Sequence, residues 1–182
     1  MNPTTLIGVW ADANTQGAWE MGYDAISDLS ALKGKTVYVA GGEALVEGAV
    51  NVAAVVVAQT ASMMEASQKA SVLLPSQVVS EREGTFTSAE RRVQRFFAAV
   101  PPLGETLPSY VITAQVADKM GVSMEGVSAA LAFAALAEKV SGFAGLSYEA
   151  LAVVDAEERL SIGGTCYVNE QGLGAQLSAV AN

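Results

Sequence analysis

An α/β fold is predicted for this chain: a parallel sheet between two layers of helix, with a hairpin excursion and a helical segment appended at the C-terminal side. Three observations predict it. The short apolar runs "VYVA" (37–40), "AAVVVA" (53–58) and "VLLP" (72–75) alternate with helix-forming stretches. They are apolar at nearly every position instead of alternating, which is the pattern of strands covered on both faces. The hydrophobic content, 51%, rests on alanine and valine more than on aromatics, which make up 7%. Small side chains suit helices packed closely onto such a sheet. Strand, helix, strand, helix, strand implies parallel pairing through right-handed crossovers, and hence a three-layer, Rossmann-like architecture.

Taken in order, "TTLIGVW" (4–10) reads as a short strand, and "ADANTQGAWEMGYDAISDL" (11–29) as a polar loop with a helical turn. "GKTVYVAGGE" (34–43) is a strand bounded by glycines, with Gly41-Gly42 supplying a tight turn. "EALVEGAV" (43–50) gives a brief helix and "NVAAVVVAQT" (51–60) the next strand. In "SMMEASQKA" (62–70), Ser62 and Glu65 have the spacing of a capping box, so a helix starts there. "SVLLPS" (71–76) is a strand ended by Pro75. Residues 78–97 form the hairpin excursion, with Gly84 at its turn.

"PSYVITAQVADKMG" (108–121) sets Ile112, Val116 and Met120 on one helical face, and Gly121 stops the helix. Ser123 is expected to cap "MEGVSAALAFAALAEKV" (124–140), and a shorter helix is expected around "SYEALAVV" (147–154). The tail is expected to be extended or loosely attached. The division that follows is an α/β domain over 1–121, a helical extension over 122–160 and a tail or linker over 161–182.

Composition removes several chemistries. There is no histidine, and Cys166 is the single cysteine. A Ser-His-Asp triad, a Cys-His pair and a cysteine-bound iron–sulfur cluster all need residues that are missing. One thiol forms no internal disulfide, consistent with a reducing cytoplasm. The net charge of −9 argues against nucleic acid or anionic lipid as a partner. The longest apolar stretch, "GVSAALAFAALA" (126–137), falls short of the ~20 residues that span a bilayer, so no membrane insertion is expected.

Against this acidic background Arg82, Arg91, Arg92 and Arg95 gather in "SEREGTFTSAERRVQRF" (80–96). Glu90, Arg91 and Arg92 read either as a clamp on a cofactor phosphate or as an ion-pair cluster for structure and docking, since a guanidinium forks onto phosphate and carboxylate alike. The docking reading is preferred, with Arg82 and Arg95 joining the same three residues. Gly41 and Gly42 precede a short helix whose amino end favours anions, but Glu43 opposes one there; the alternative is an ordinary strand-to-helix turn. Met63, Met64, Met120 and Met124 are expected to fill the core. Trp10 and Trp19 are expected to anchor the loop between them, and Cys166 is expected to be incidental.

Several segments resemble one known family. "ANTQGAWEMG" (13–22), "ASVLLPS" (70–76) and "EREGTFTSAERRVQ" (81–94), followed by "LPSYVITAQVADKMG" (107–121), are similar in kind and order to blocks of the molybdopterin-dependent oxidoreductases. The tail "GGTCYVNEQGLG" (163–174) resembles a linker in the large peripheral-arm subunit of bacterial respiratory complex I. The resemblance, with that tail, implies a non-catalytic structural domain of NADH-quinone oxidoreductase, with no cofactor in this chain. Its partners would be other domains of the same subunit and other peripheral-arm subunits. It would lie in the cytoplasm, peripheral on the inner membrane. The alternative it implies is a nucleotide-contacting domain of an active molybdenum enzyme such as a formate dehydrogenase. There Gly41, Gly42, Arg91 and Arg92 would face a molybdopterin guanine dinucleotide. A free-standing α/β module for a small acidic or apolar ligand is the reading that ignores the resemblance. The family's Asn, Asp and Thr are replaced by Ser88, Ser71 and Ala66, which removes polar groups from the segments that resemble it.

Overall fold

A computed structural model describes residues 12–89, 91–152 and 175–177. The chain divides into two compact units, 1–24 with 84–96 and 133–182, and 25–83 with 97–132.

The second unit carries the predicted parallel sheet. Its strands are β1 (Thr36–Ala40), β2 (Val55–Thr60) and β3 (Val72–Pro75), in spatial order β1-β2-β3. Both pairings are parallel, with Tyr38 opposite Val57 and Ala58 opposite Leu73. Helices α2 (Glu43–Val50) and α3 (Glu65–Gln68) make the crossovers. Val46, Ala49, Val56, Ala58 and Ala66 are buried together between helix and sheet, with Val37, Val39 and Leu73 around them. This is the core that the apolar runs predict. Small residues at Ala49, Ala58 and Ala66 let the layers approach closely.

Helix α4 (Ser109–Lys119) follows. It ends as predicted: Gly121 has φ +80°, its N–H reaches Asp118 C=O at 2.9 Å, and Val122 N–H reaches Ala117 C=O at 2.9 Å. This pair of bonds is a Schellman closure. Ile112 is buried on its inner face, whereas Met120 sits at the end of the helix and is exposed.

The first unit is built on α1 (Thr15–Glu20) and a hairpin of β4 (Gly84–Thr87) and β5 (Arg92–Phe96), with Thr85 opposite Arg95. Residues Ala175–Gln176 add a third strand, β6, antiparallel to β5. Helix α5 (Ala129–Lys139) contributes its last seven residues to this unit and its first four to the other. Val93, Phe133, Phe143, Tyr148, Leu151 and Leu177 are its buried apolar residues.

Several expectations are corrected. The Ser62–Glu65 capping box does not form. Helix α3 starts only at Glu65 with Met64 at its N-cap, so Ser62 lies too early, and Glu65 pairs with Lys69 instead. Ser123 does not cap α5, because the chain stays irregular to Ser128; the Ser128 hydroxyl accepts the Leu131 N–H at 3.2 Å. Gly84 begins β4 and is not at the turn, which falls at 88–91 and is closed by Arg91 at φ +64°. Gly42 keeps φ −77°, so the Gly41-Gly42 pair contributes bare backbone and not a left-handed turn.

Met63, Met64, Met120 and Met124 are all exposed, and so is Trp19. They fall on loops and helix ends, which local hydrophobicity does not distinguish from the core. Of the tail, expected to be extended or loosely attached, Ala175–Gln176 are extended; Leu177 beside them is buried, and its N–H bonds to Arg91 C=O at 3.0 Å. The strand expected at 4–10, Trp10, Glu90 and Cys166 lie outside the described residues.

The motif "NTQG" receives a physical reason. Asn14 Oδ1 accepts the Thr87 N–H at 2.8 Å, tying the start of α1 to the end of β4. The Asn14 side chain occupies the space beside Gly17, where an added Cβ would fall 2.4 Å from Oδ1. Gly17→Ala is therefore expected to displace Asn14 and lower stability by about 1–2 kcal/mol, measured by urea unfolding.

Candidate nucleotide cleft

Because β1, β2 and β3 run parallel, their carboxyl ends meet along one edge of the sheet. The residues leaving them, Gly41-Gly42, Ala61-Ser62 and Ser76-Gln77, join Val78, Val79, Arg82 and Ser109 around a cleft of about 540 Å³. That is inside the range of about 300–1,000 Å³ usual for small-molecule sites. Ligands of open parallel sheets bind at this end of the strands.

The cleft is lined by buried polar side chains whose orientation the fold sets. Gln59 is 2% exposed. Its Nε2 donates to Ser109 C=O at 3.2 Å, while its Oε1 accepts the Tyr38 and Thr113 hydroxyls. Gln77 donates to Thr106 C=O at 3.1 Å, and Thr60 Oγ1 accepts the Ser62 N–H at 3.2 Å. Among the described residues Arg82 is the one charged residue of the lining. Burial lowers its pKa, countered by the nearby Tyr110, and a guanidinium stays protonated under any such shift. Burial raises the Tyr110 phenol in turn, helped by Glu83.

Behind the cleft, Glu43 at the start of α2 reaches the start of α3. It accepts the Ser67 N–H at 3.0 Å and the Ser67 hydroxyl. The Ser67 hydroxyl is the main cause of its lowered pKa, with the Ser67 and Ala66 N–H groups and the Ser62 side chain adding to it against burial.

Of the predicted site residues, Gly41, Gly42 and Arg82 line this cleft. Arg91, Arg92 and Arg95 belong to the first unit. There Arg91 grips Glu20 with both arms of its fork, Nε to Oε1 at 2.5 Å and Nη2 to Oε2 at 2.9 Å, and Gln16 bonds the same carboxylate at 2.7 Å. The Arg91 bond is the main reason the Glu20 carboxyl is held below its usual range. Arg95 lies 3.9 Å from the centroid of the Tyr148 ring. Arg92 contributes its N–H to Ser88 Oγ at 3.3 Å.

The residues missed by sequence reasoning are Glu20, Gln59, Gln77 and Glu43 as a cap. Apart from Gln16 beside Glu20, the partners described lie from 21 to 71 residues away along the chain. Only Glu43 gave a signal, as an acidic residue in a place that favours anions.

Fold and cleft together define an α/β domain with a cleft at the carboxyl edge of a parallel sheet. The family profile described as Molybdopterin oxidoreductase matches residues 9–119, and the chain belongs to that family. Among similar proteins, the F420-dependent formate dehydrogenase 2 subunit alpha of Methanococcus maripaludis is 37% identical over 99 residues, 53% of this chain. The "Putative formate dehydrogenase YrhE" of Bacillus subtilis is 37% identical over 95 residues, 52% of this chain. The matched stretches span 15% and 10% of those relatives' own length.

These relatives correct the assignment to a structural subunit of respiratory complex I, since their names are those of formate dehydrogenases. The branch assignment leaned on residues 163–174, which lie beyond the matched 9–119. Among the described residues no helix is long and apolar enough to cross a membrane.

Proposed function

We propose that the second unit is a nucleotide-binding wall of a molybdenum oxidoreductase of the formate dehydrogenase kind, taking the guanine nucleotide end of the pterin cofactor. The observation that carries this reading is the cleft at the carboxyl edge of β1–β3, with bare backbone at Gly41-Gly42 and oriented amides at Gln59 and Gln77. Its residue types fit an organic nucleotide. Glutamine amides and serine hydroxyls match the polar edge of a base or ribose, and one arginine matches one phosphate. No cluster of three metal-ligating side chains occurs among the described residues, so the organic end is the part of the cofactor these residues suit.

When bound, the cofactor supplies the redox chemistry. This chain's residues orient its nucleotide: Gln59 and Gln77 present amides fixed by their own backbone bonds, and Arg82 holds a phosphate. Other domains of the same catalytic subunit are the proposed partners, in keeping with the small share of the relatives' length that is matched.

Titration of the 182-residue chain with GDP by calorimetry tests this. Saturable binding is expected, with Arg82→Gln weakening GDP by about tenfold or more and leaving guanosine nearly unaffected. Absence of any heat or fluorescence change with GDP overturns the reading.

A further inference from the structure

We infer that Glu43 is a positioning residue of the cleft, a role that rests on the nucleotide reading above. Helix α3 has Met64 at its N-cap, with no side-chain cap from the residues just before it. Its Ser67 amide is satisfied from elsewhere: the Glu43 carboxylate, at the start of α2, takes the Ser67 N–H at 3.0 Å and the Ser67 hydroxyl. Ser67 is 1% exposed and Ala66 is also buried, so these bonds are shielded from competing water.

Ser62, in the loop that leads into α3, lines the cleft. The backbone of Ser62 is held in turn on Thr60 Oγ1, another lining residue. One side chain, next to Gly41–Gly42, therefore holds the helix into which the Ala61–Met64 loop leads, and both of those strand-end loops form the cleft wall.

This geometry has a consequence for orientation. The Ser67 amide of α3 is occupied by the protein's own anion, and that negative charge stands at the start of α2. A phosphate is repelled on that side and directed to Arg82. Glu43 thus keeps the lip in place and sets which end of the ligand carries the charge.

The test uses the full chain, with wild type, Glu43→Ala, Glu43→Gln and Ser67→Ala, and two readouts. Amide exchange of the segment 61–68, followed by mass spectrometry without ligand, reads the anchoring. Glu43→Ala is expected to speed it about tenfold, leaving β1 and β2 protected, and millimolar acetate is expected to slow it again by refilling the vacated space. Glu43→Gln, with one acceptor oxygen left, falls between, and Ser67→Ala gives a smaller effect that acetate does not reverse.

GDP titration reads the positioning. Affinity is expected to fall about tenfold in Glu43→Ala and to recover in part with acetate. If wild type and Glu43→Ala bind GDP equally, or exchange of 61–68 is unchanged, the positioning role is overturned while the nucleotide reading stands. If wild type binds no GDP, the nucleotide reading falls and this role falls with it. Should Glu43→Ala fail to fold, the same comparisons on Glu43→Gln decide.

Discussion

Phe143→Ala is expected to lower the stability of the first unit by about 3–5 kcal/mol, the largest effect of any single change proposed. Phe143 is 2% exposed and lies at the end of a short 3-10 turn, Ser141–Phe143. Its ring meets Phe133 edge-on at 6.2 Å between centroids, and Phe133 in turn contacts Tyr148 at 5.9 Å. Tyr148 carries the Arg95 guanidinium on its face. Truncating Phe143 opens a void at one end of a chain of four groups in contact, so part of the cost is the lost support for the others. Thermal unfolding followed by near-ultraviolet dichroism reads this directly. Phe143→Leu, which keeps most of the volume, is expected to cost under half as much. Equal losses for both variants would show that the ring contacts, and not the filled volume, set the stability.

Glu20→Ala is expected to cost about 2 kcal/mol, because it strands Arg91 at the hairpin turn. The two side chains are 9% and 26% exposed, so the pair is shielded but not dry and its loss costs less than that of a fully buried pair. Arg91 also holds the left-handed backbone at φ +64°, a conformation that costs a side-chain-bearing residue about 1–2 kcal/mol. The fork onto Glu20 offsets that cost. Arg91→Gly is therefore expected to be milder than Arg91→Ala by about 1 kcal/mol, since glycine takes the turn without strain. The pH dependence has a definite sign. Glu20 has a lowered pKa in the folded state, so its contribution is present above the ordinary carboxylate pKa and is lost as pH falls through the lowered value. Glu20→Gln is expected to flatten stability against pH in that acid range. Denaturant midpoints measured across it check the slope.

Much of the fold was legible because it follows from local rules. Valine-rich apolar runs at 37–39, 55–57 and 72–74 extend the backbone, and the helices between them enforce parallel crossovers. Gly121 ends α4 by a preference of its own backbone. Caps were less legible. Ser62 and Ser123 each stand where a cap is plausible from spacing alone, yet the helix starts moved to Glu65 and Ala129, and tertiary partners took over the capping of α3. The methionines misled for a related reason: hydrophobicity gives a side chain's preference for burial, and the packing of the remaining chain decides whether burial is available.

The candidate site divides along the same line. Gly41-Gly42 at a strand end pointed to the cleft, since the position of a loop in a parallel sheet follows from strand order. The arginines of 82–95 read as one cluster along the chain, but Arg82 falls in the unit with the cleft and Arg91 and Arg95 in the other. Sequence by itself determined the strands, their parallel order, the hairpin's existence and the end of α4, because each depends on residues within a turn or a strand of one another. Only the tertiary structure decided that Arg91 closes the hairpin against Glu20, that Glu43 caps α3, and that Gln59 and Gln77 line a cleft. Each of those depends on a charge or amide finding a partner distant in sequence, whose position exists only once the chain has folded.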